Sequence, residues 1–386
     1  MARHNLAHVK AGTLALAPEV ARVPAAHYVD PARFQRELER IWRRLPLMLA
    51  CSAELPRPGD YKAITAAGVP VLIARGGDGA LRAFVNMCSH RGAQLVLEGT
   101  GHAKRFSCPY HAWTYDERGA LVGISSAAEF GEIDETCHGL TPLRLAERAG
   151  LVFVLLDPAS PLDIDAFLCG YDALLAEFGF ESWHVAGRRE LAGPNWKIAY
   201  DGYLDLYHLP ILHKNTFGSS FPNRALYYAF GPHQRVDSPN PLLLKLAERP
   251  EPEWDVRYLL GGVWTVFPHV SIASFDAGGR GVLVSQLFPG PGPLESTTVQ
   301  TYLTEKAPND AERAAIEKTF ELLGTVVREE DYATGLRQQR ALATGAKSSV
   351  LFGRNEGGGQ RFHRWVDHLL CLDDAALASA FPGEIA

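Results

Sequence analysis

The chain has 386 residues, enough for two domains or one large one with a proper core. Its 47% hydrophobic and 21% charged content is that of an ordinary globular protein, which excludes a disordered or fibrous chain. A net charge of -6 offers no basic footprint for nucleic acid or an anionic membrane; no apolar run reaches transmembrane length, the start Met1-Ala2-Arg3-His4-Asn5 lacks the apolar segment of a secretory signal, and a cytoplasmic protein is expected.

Residues 28–44 open on Asp30-Pro31, a helix start signal, and carry Phe34, Leu38, Ile41 and Trp42 at helical spacing, so an amphipathic helix is expected there. From about Pro56 the character changes to short β-branched runs and tight turns. Val69–Arg75, the turn Gly76-Gly77-Asp78-Gly79 and Leu81–Val85 read as a β-hairpin leading into Cys88-Ser89-His90. A second pair, Cys108-Pro109-Tyr110-His111, runs into Ala112–Tyr115, the turn Asp116–Gly119 and Ala120–Val122. Both Cys-His loops are therefore expected at hairpin tips.

In a reducing compartment, Cys and His at close paired spacing are metal ligands rather than disulfide formers. Two metals compete: zinc in a closed tetrahedral site, and a [2Fe-2S] cluster of the Rieske type, with two Cys on one iron and two His on the other. Each loop here contributes one Cys and one His, C-x-H and then C-x2-H, whereas a zinc finger takes both Cys from one knuckle. That order favours the cluster. The remaining cysteines, Cys51, Cys137, Cys169 and Cys371, are scattered singly and read as small buried hydrophobes, with Cys137-His138 a weaker temptation in a polar loop.

Leu151–Leu156 reads as a buried strand, and Asp157-Pro158-Ala159-Ser160-Pro161 as a boundary. Short helical stretches near 163–178 and the Asn195–His213 segment follow. Strands are expected at about 225–230, Gly262–Phe275, Gly281–Phe288 and Thr297–Thr304, then a long helix from Asn309 to Ala343. Antiparallel strands followed by one long helix indicate an α+β unit with the helix on a curved sheet. His208 and His213, five apart on a helix bending at Pro210, point into one pocket; with one carboxylate they make the facial triad of non-heme Fe(II) oxygenases. Taken alone, such a pair is weak evidence, since two histidines at this spacing are more often a packed core pair or surface residues.

The flanks carry a resemblance. Cys88-Ser89-His90-Arg91-Gly92 and Cys108-Pro109-Tyr110-His111-Ala112-Trp113 resemble the two cluster loops of the Rieske family. Asn195-Trp196-Lys197, with Asp205, Tyr207-His208 and His213, resembles the mononuclear-iron signature of Rieske non-heme iron oxygenases, the terminal (alpha) subunits of the aromatic ring-hydroxylating dioxygenase family. The resemblance runs from about residue 28 to 365. It implies an N-terminal helical segment (1–45) packing on the catalytic domain, an antiparallel β Rieske domain (46–158), and a helix-grip (START-like) catalytic domain (159–386) with a curved antiparallel sheet around a long C-terminal helix.

It further implies a [2Fe-2S] cluster on Cys88, His90, Cys108 and His111, and a mononuclear Fe(II) on His208, His213 and Asp331, with Glu330 the alternative third ligand. Glu329, Glu330 and Asp331 are consecutive on a helix and point in different directions, so at most one reaches the metal. Asp205 matches the acid that in the family bridges the iron site to a cluster histidine of the neighbouring subunit, here His111, in a head-to-tail homotrimer, with a β subunit in some assemblies. One departure stands out: many relatives carry Glu-Asn ahead of that acid, where this chain has Asp201-Gly202. The implied reaction is cis-dihydroxylation, monohydroxylation or oxidative demethylation of an apolar, aromatic substrate with O2.

The chain shows no Gly-rich dinucleotide fingerprint, so electrons are expected from a separate NAD(P)H-dependent reductase, with or without a ferredoxin. Phe217, Phe221, Leu226, Tyr227, Tyr228, Val263, Trp264, Phe267 and Ile272 are expected to line the pocket, and Arg224 or Arg235 to meet a substrate carboxylate. The rival reading is an electron carrier or ligand-binding module with a silent iron site.

Overall fold

The protein is described by a computed structural model at residues 1–218, 225–238, 242–255, 261–276 and 279–381. Met1–Ile41 and Val185–Asp373 form one compact unit, and Trp42–His184 with Asp374–Phe381 form another. No described helix is long and apolar enough to cross a membrane.

The second unit is built of three antiparallel sheets. Its largest runs in the order Pro142–Leu143, Leu81–Val85, Val69–Arg75, Asp60–Ala66, Gly99–His102. The expected hairpin is present, in register from Val71 opposite Val85 to Arg75 opposite Leu81. Its turn closes through the Gly76 N–H donating to the Ala80 carbonyl at 2.9 Å, with Gly79 at φ +80°. Leu151–Leu155 and Pro46–Cys51 pair in another sheet and are buried at every position, which is why they read as continuous apolar runs rather than alternating ones.

The second Cys-His loop does sit at a hairpin tip, between Arg105–Ser107 and Thr114–Asp116. The first does not. Leu81–Val85 pairs with Pro142–Leu143 on its far side, and Gly99–His102 joins the opposite edge beside Asp60–Ala66, so the loop crosses the end of the sheet. Asn86 holds that crossing: its Oδ1 accepts from Leu95 N and its Nδ2 donates to Val96 O at 2.8 Å.

The first unit carries a seven-stranded antiparallel sheet in the order His184–Gly193, Ser296–Thr304, Arg280–Pro289, Val270–Asp276, Gly262–Val266, His233–Asp237, Leu226–Phe230. The expected strand at 262–275 is two strands, turned at the cis Phe267-Pro268 peptide. Asn309 caps the long helix in a capping box with Glu312. That helix runs as Asp310–Thr325 and Ala333–Leu342, joined by a π-helical stretch at Val326–Tyr332. Asp30 caps the helix Pro31–Glu37. The fully buried Glu37 then meets Lys197 Nζ at 2.5 Å and accepts from Trp196 Nε1 at 3.1 Å, tying this segment to the helix Trp196–Asp201.

Candidate metal sites and cavity

Asn195 Oδ1 accepts from Lys197 N and starts the helix Trp196–Asp201, after which the chain opens into a loop that ends at His208. Asp205 shapes that loop: its Oδ1 accepts the backbone N–H groups of Tyr207 at 2.6 Å and His208 at 3.1 Å. The same oxygen lies 3.0 Å from His208 Nδ1. Pro210 bends no helix here. It occupies the first turn of a new short helix, Leu209–Leu212, where its missing N–H costs no hydrogen bond, and His213 follows that helix.

The π-helical stretch delivers the carboxylates. Asp331 Oδ1 lies 3.2 Å from His213 Nε2 and 3.9 Å from His208 Nε2. Glu330 Oε2 lies 2.6 Å from His213 Nδ1 and accepts from Thr216 Oγ1 at 3.0 Å. Of the three consecutive acids only Asp331 joins the two histidines in a constellation whose donor atoms all lie within 4.8 Å of one another; Glu329 is exposed beside Arg328. Each imidazole thus gives Nδ1 to a carboxylate, His208 to Asp205 and His213 to Glu330. That fixes the Nδ1–H tautomers and leaves both Nε2 lone pairs aimed toward Asp331. Two imidazoles and one carboxylate converging in this way fit a ferrous ion of the facial-triad type. Burial alone would lower the pKa of His213, but Asp331 and Glu330 outweigh it and raise it.

A cavity of about 510 Å³ opens beside this constellation, a size that suits a small organic molecule. Phe217, Val263, Phe275 and Leu283 supply apolar wall, Tyr203 and Tyr332 aromatic wall, and Ser238, Ser274 and Ser285 polar points. Phe217 and Val263 of the expected lining are there; Phe221 and Arg224 lie outside the described residues. Leu226, Tyr227, Tyr228, Trp264, Phe267 and Ile272 are not among the lining residues. For two of them strand alternation gives the reason: Val263 and its cross-strand partner Ala273 face the cavity, so Trp264 and its partner Ile272 face away. Arg235 is also no substrate clamp, since it is buried, 3.2 Å from Asp237 Oδ2 and stacked on Trp264. Asp201 turns from the cavity to accept from Tyr28 Oη at 2.8 Å and to meet His363 Nε2 at 3.0 Å. Gly202 lines it, and a Cβ there would have nothing nearer than Ala199 O at 3.8 Å.

In the other unit the two Cys-His loops have one construction. Cys88 N donates to Ala93 O and Gly92 N to Cys88 O; Cys108 N donates to Trp113 O and Ala112 N to Cys108 O. Both fifth positions are left-handed, Gly92 at φ +76° and Ala112 at φ +56°. Cys88 and Cys108 are buried, and the His90 and His111 rings lie 4.7 Å apart, His90 stacked on Trp113 and His111 on Tyr110. His111 Nδ1 is buried with no hydrogen-bond partner among the described residues, which leaves it available to a metal. Burial, His111 and Arg91 all hold His90 below the ordinary imidazole pKa, which favours the neutral ligand form. Two buried thiols and two neighbouring imidazoles, one of each from each loop, are the donor set of a [2Fe-2S] cluster.

Sequence reasoning missed Tyr115, whose hydroxyl lies 3.3 Å from Cys88 Sγ and accepts from Ser89 N at 2.9 Å, and gave no role to Thr216. No local motif marks either residue. Of the scattered cysteines, Cys51 and Cys169 are buried as expected, whereas Cys137 and Cys371 are exposed because they lie in a surface loop and at a helix end.

Residues 46–136 match the family model of the Rieske [2Fe-2S] domain, and residues 180–371 that of the ring hydroxylating alpha subunit catalytic domain. The chain is 36% identical over 194 residues to the carnitine monooxygenase oxygenase subunit of Escherichia coli, covering 49% of this chain and 51% of that one. It is 31% identical over 199 residues to the glycine betaine monooxygenase oxygenase subunit of Chromohalobacter salexigens (51% and 44% covered), and 33% over 204 residues to the anthranilate 1,2-dioxygenase large subunit of Burkholderia cepacia (50% and 48%). The matched stretch spans about half the length of these curated relatives. Among solved structures, the quaternary ammonium Rieske monooxygenase CntA with L-carnitine superposes with a TM-score of 0.78 at 23% identity, covering 91% of this chain and 96% of that one. The naphthalene 1,2-dioxygenase of Rhodococcus gives 0.76 at 22%, covering 96% and 97%. These likenesses show the fold. With a cluster domain preceding a mononuclear-iron catalytic domain, the chain belongs to the Rieske-type ring-hydroxylating oxygenase alpha-subunit family.

Proposed function

We propose that the chain is a terminal oxygenase component that hydroxylates an apolar, aromatic substrate with O2 and externally supplied electrons. His208, His213 and Asp331 hold the iron, and Cys88, His90, Cys108 and His111 hold the cluster. The observation that carries the reading is the convergence of two carboxylate-anchored imidazoles and Asp331 at the wall of a 510 Å³ cavity. When bound, the iron supplies the O2 chemistry and the cluster supplies electrons. The protein's own part is positional. Asp205 and Glu330 orient the imidazoles, the aromatic and aliphatic wall holds an apolar ring and excludes water, and Gly202 leaves room beside the metal.

Electrons come from a separate reductase, directly or through a ferredoxin, and reach the iron from a neighbouring chain's cluster through Asp205 in a homotrimer. Exposed apolar side chains support this. Tyr110 (55% exposed) and Leu97 (86%) lie in the cluster loops, and Tyr207 (54%) and Ile211 (74%) flank His208. Faces of this kind are covered in assemblies. A second substrate class, quaternary ammonium compounds, is favoured by the aromatic walls together with the absence of Lys and Arg among the described lining residues, and by the carnitine and glycine betaine relatives. Turnover with a surrogate reductase on aromatic hydrocarbons, aromatic acids, and N-methylated cations, with products traced from labelled O2, decides between them. No labelled product from any of these compounds would overturn the proposal.

A further inference from the structure

We infer that His4 and His8 form a third metal site, on the surface of the first unit, that takes a borderline divalent cation such as Zn2+ or Cu2+. Both lie on the helix Ala2–Ala11, one turn apart and therefore on one face. Their Nε2 atoms are 3.3 Å apart. With metal–nitrogen bonds of about 2.0–2.1 Å, two tetrahedral ligands stand roughly 3.3–3.4 Å from each other, so the pair is already at chelating distance. Water completes the coordination.

The remaining ring nitrogens are spoken for. His8 Nδ1 lies 2.9 Å from Thr13 Oγ1, and His4 Nδ1 lies 2.9 Å from Tyr228 Oη. Such partners orient a ligating imidazole and fix its tautomer. Without a metal the same atoms form a proton chain: Thr13 Oγ1–H to His8 Nδ1, His8 Nε2–H to His4 Nε2, His4 Nδ1–H to Tyr228 Oη, and Tyr228 Oη–H to Asn5 Oδ1. A cation needs only one change in that chain. The His8 proton moves from Nε2 to Nδ1, where it donates to Thr13 Oγ1, and no net proton is released.

The helix is anchored independently of the two histidines. Asn5 Nδ2 donates to Asp237 Oδ2 at 2.8 Å, and Arg3 pairs with Glu251 at 2.6 Å. The backbone carrying the site is therefore held before any cation binds, and substitution of the exposed His4 and the half-buried His8 leaves the Asn5 and Arg3 contacts intact.

The test uses the full, untagged, iron-loaded protein titrated with Zn2+ by calorimetry and with Cu2+ by electron paramagnetic resonance. One cation beyond the irons is expected, with a copper signal split by two imidazole nitrogens. His8→Ala and the milder His8→Gln should weaken Zn2+ by more than the roughly 10–100-fold that losing an outer-shell partner costs, with iron content and melting temperature without Zn2+ unchanged. Equal Zn2+ binding by wild type and the His4→Ala/His8→Ala double variant would overturn the assignment, as would a copper signal with no imidazole splitting.

Discussion

Glu330 and Asp331 are adjacent acids with different assigned tasks, so substituting each in turn separates the ligand from its support. In Glu330→Gln the acceptor facing His213 Nδ1 at 2.6 Å is weakened, and the Thr216 hydroxyl loses a charged partner at 3.0 Å. His213 is buried, so an unmet N–H there costs about 1–3 kcal/mol. Loss of an outer-shell carboxylate on a ligating histidine lowers metal affinity by about 10–100-fold, which is roughly 1.4–2.7 kcal/mol and agrees with that cost. Competition with a ferrous chelator should therefore show weakened but measurable iron binding in Glu330→Gln, and no mononuclear iron in Asp331→Ala. The cluster irons serve as an internal reference, since those ligands lie in the other unit. The reverse pattern, iron lost in Glu330→Gln and kept in Asp331→Ala, would make Glu330 the ligand and refute the assignment.

Three further outcomes follow from the geometry. Lys197→Met removes one of two cations from the buried Glu37 carboxylate, the other being Arg33 at 3.0 Å, and should cost roughly 1.5–3 kcal/mol in denaturant unfolding, the worth of a hydrogen bond to a charged group; no measurable loss would mean that Arg33 and Trp196 satisfy Glu37 without it. Gly358→Ala drives a Cβ into the Leu204 carbonyl oxygen, and overpacking of that kind costs roughly 1–3 kcal/mol. Because Leu204 precedes Asp205, bound iron should fall along with the melting temperature, and unchanged iron content would contradict that coupling. Burial pushes the Glu147 carboxyl up, but Arg75 at 2.9 Å and Ser52 at 2.6 Å outweigh it and hold its pKa below the usual 4.5. A depressed folded pKa means stability that is present above pH 4.5 and lost as pH falls through the lower folded value. Glu147→Gln should therefore be less stable than wild type at neutral pH and converge on it in acid, as followed by circular dichroism against pH; a gap that persists at low pH would refute the linkage.

The hairpin Val69–Val85, the buried strand at 151–155 and the capped helix from Asn309 were legible because periodicity, turn residues and caps agreed there. His184–Gly193 escaped notice because most of its side chains are exposed and it carries little apolar signal, and His233–Asp237 because its five buried positions hold mostly polar residues. Helix Gly357–Cys371 was hidden by Gly357-Gly358-Gly359, poor helix formers needed for close approach to Leu204 and Phe352. At the site, the residue types were readable from local motifs, but the convergence was not. Glu330 reaches His213 across 117 positions, and which strand face meets the cavity depends on a register the sequence does not display.

His208, His213 and Asp331 are assigned an iron whose O2 chemistry is fed by the cluster. Iron analysis and substrate-dependent O2 uptake of His208→Ala/His213→Ala beside wild type test it most directly. The expected result is a fall from about three irons per chain to about two, an intact reduced-cluster signal, and no oxygen uptake. Unchanged iron and unchanged uptake in the double variant would contradict it.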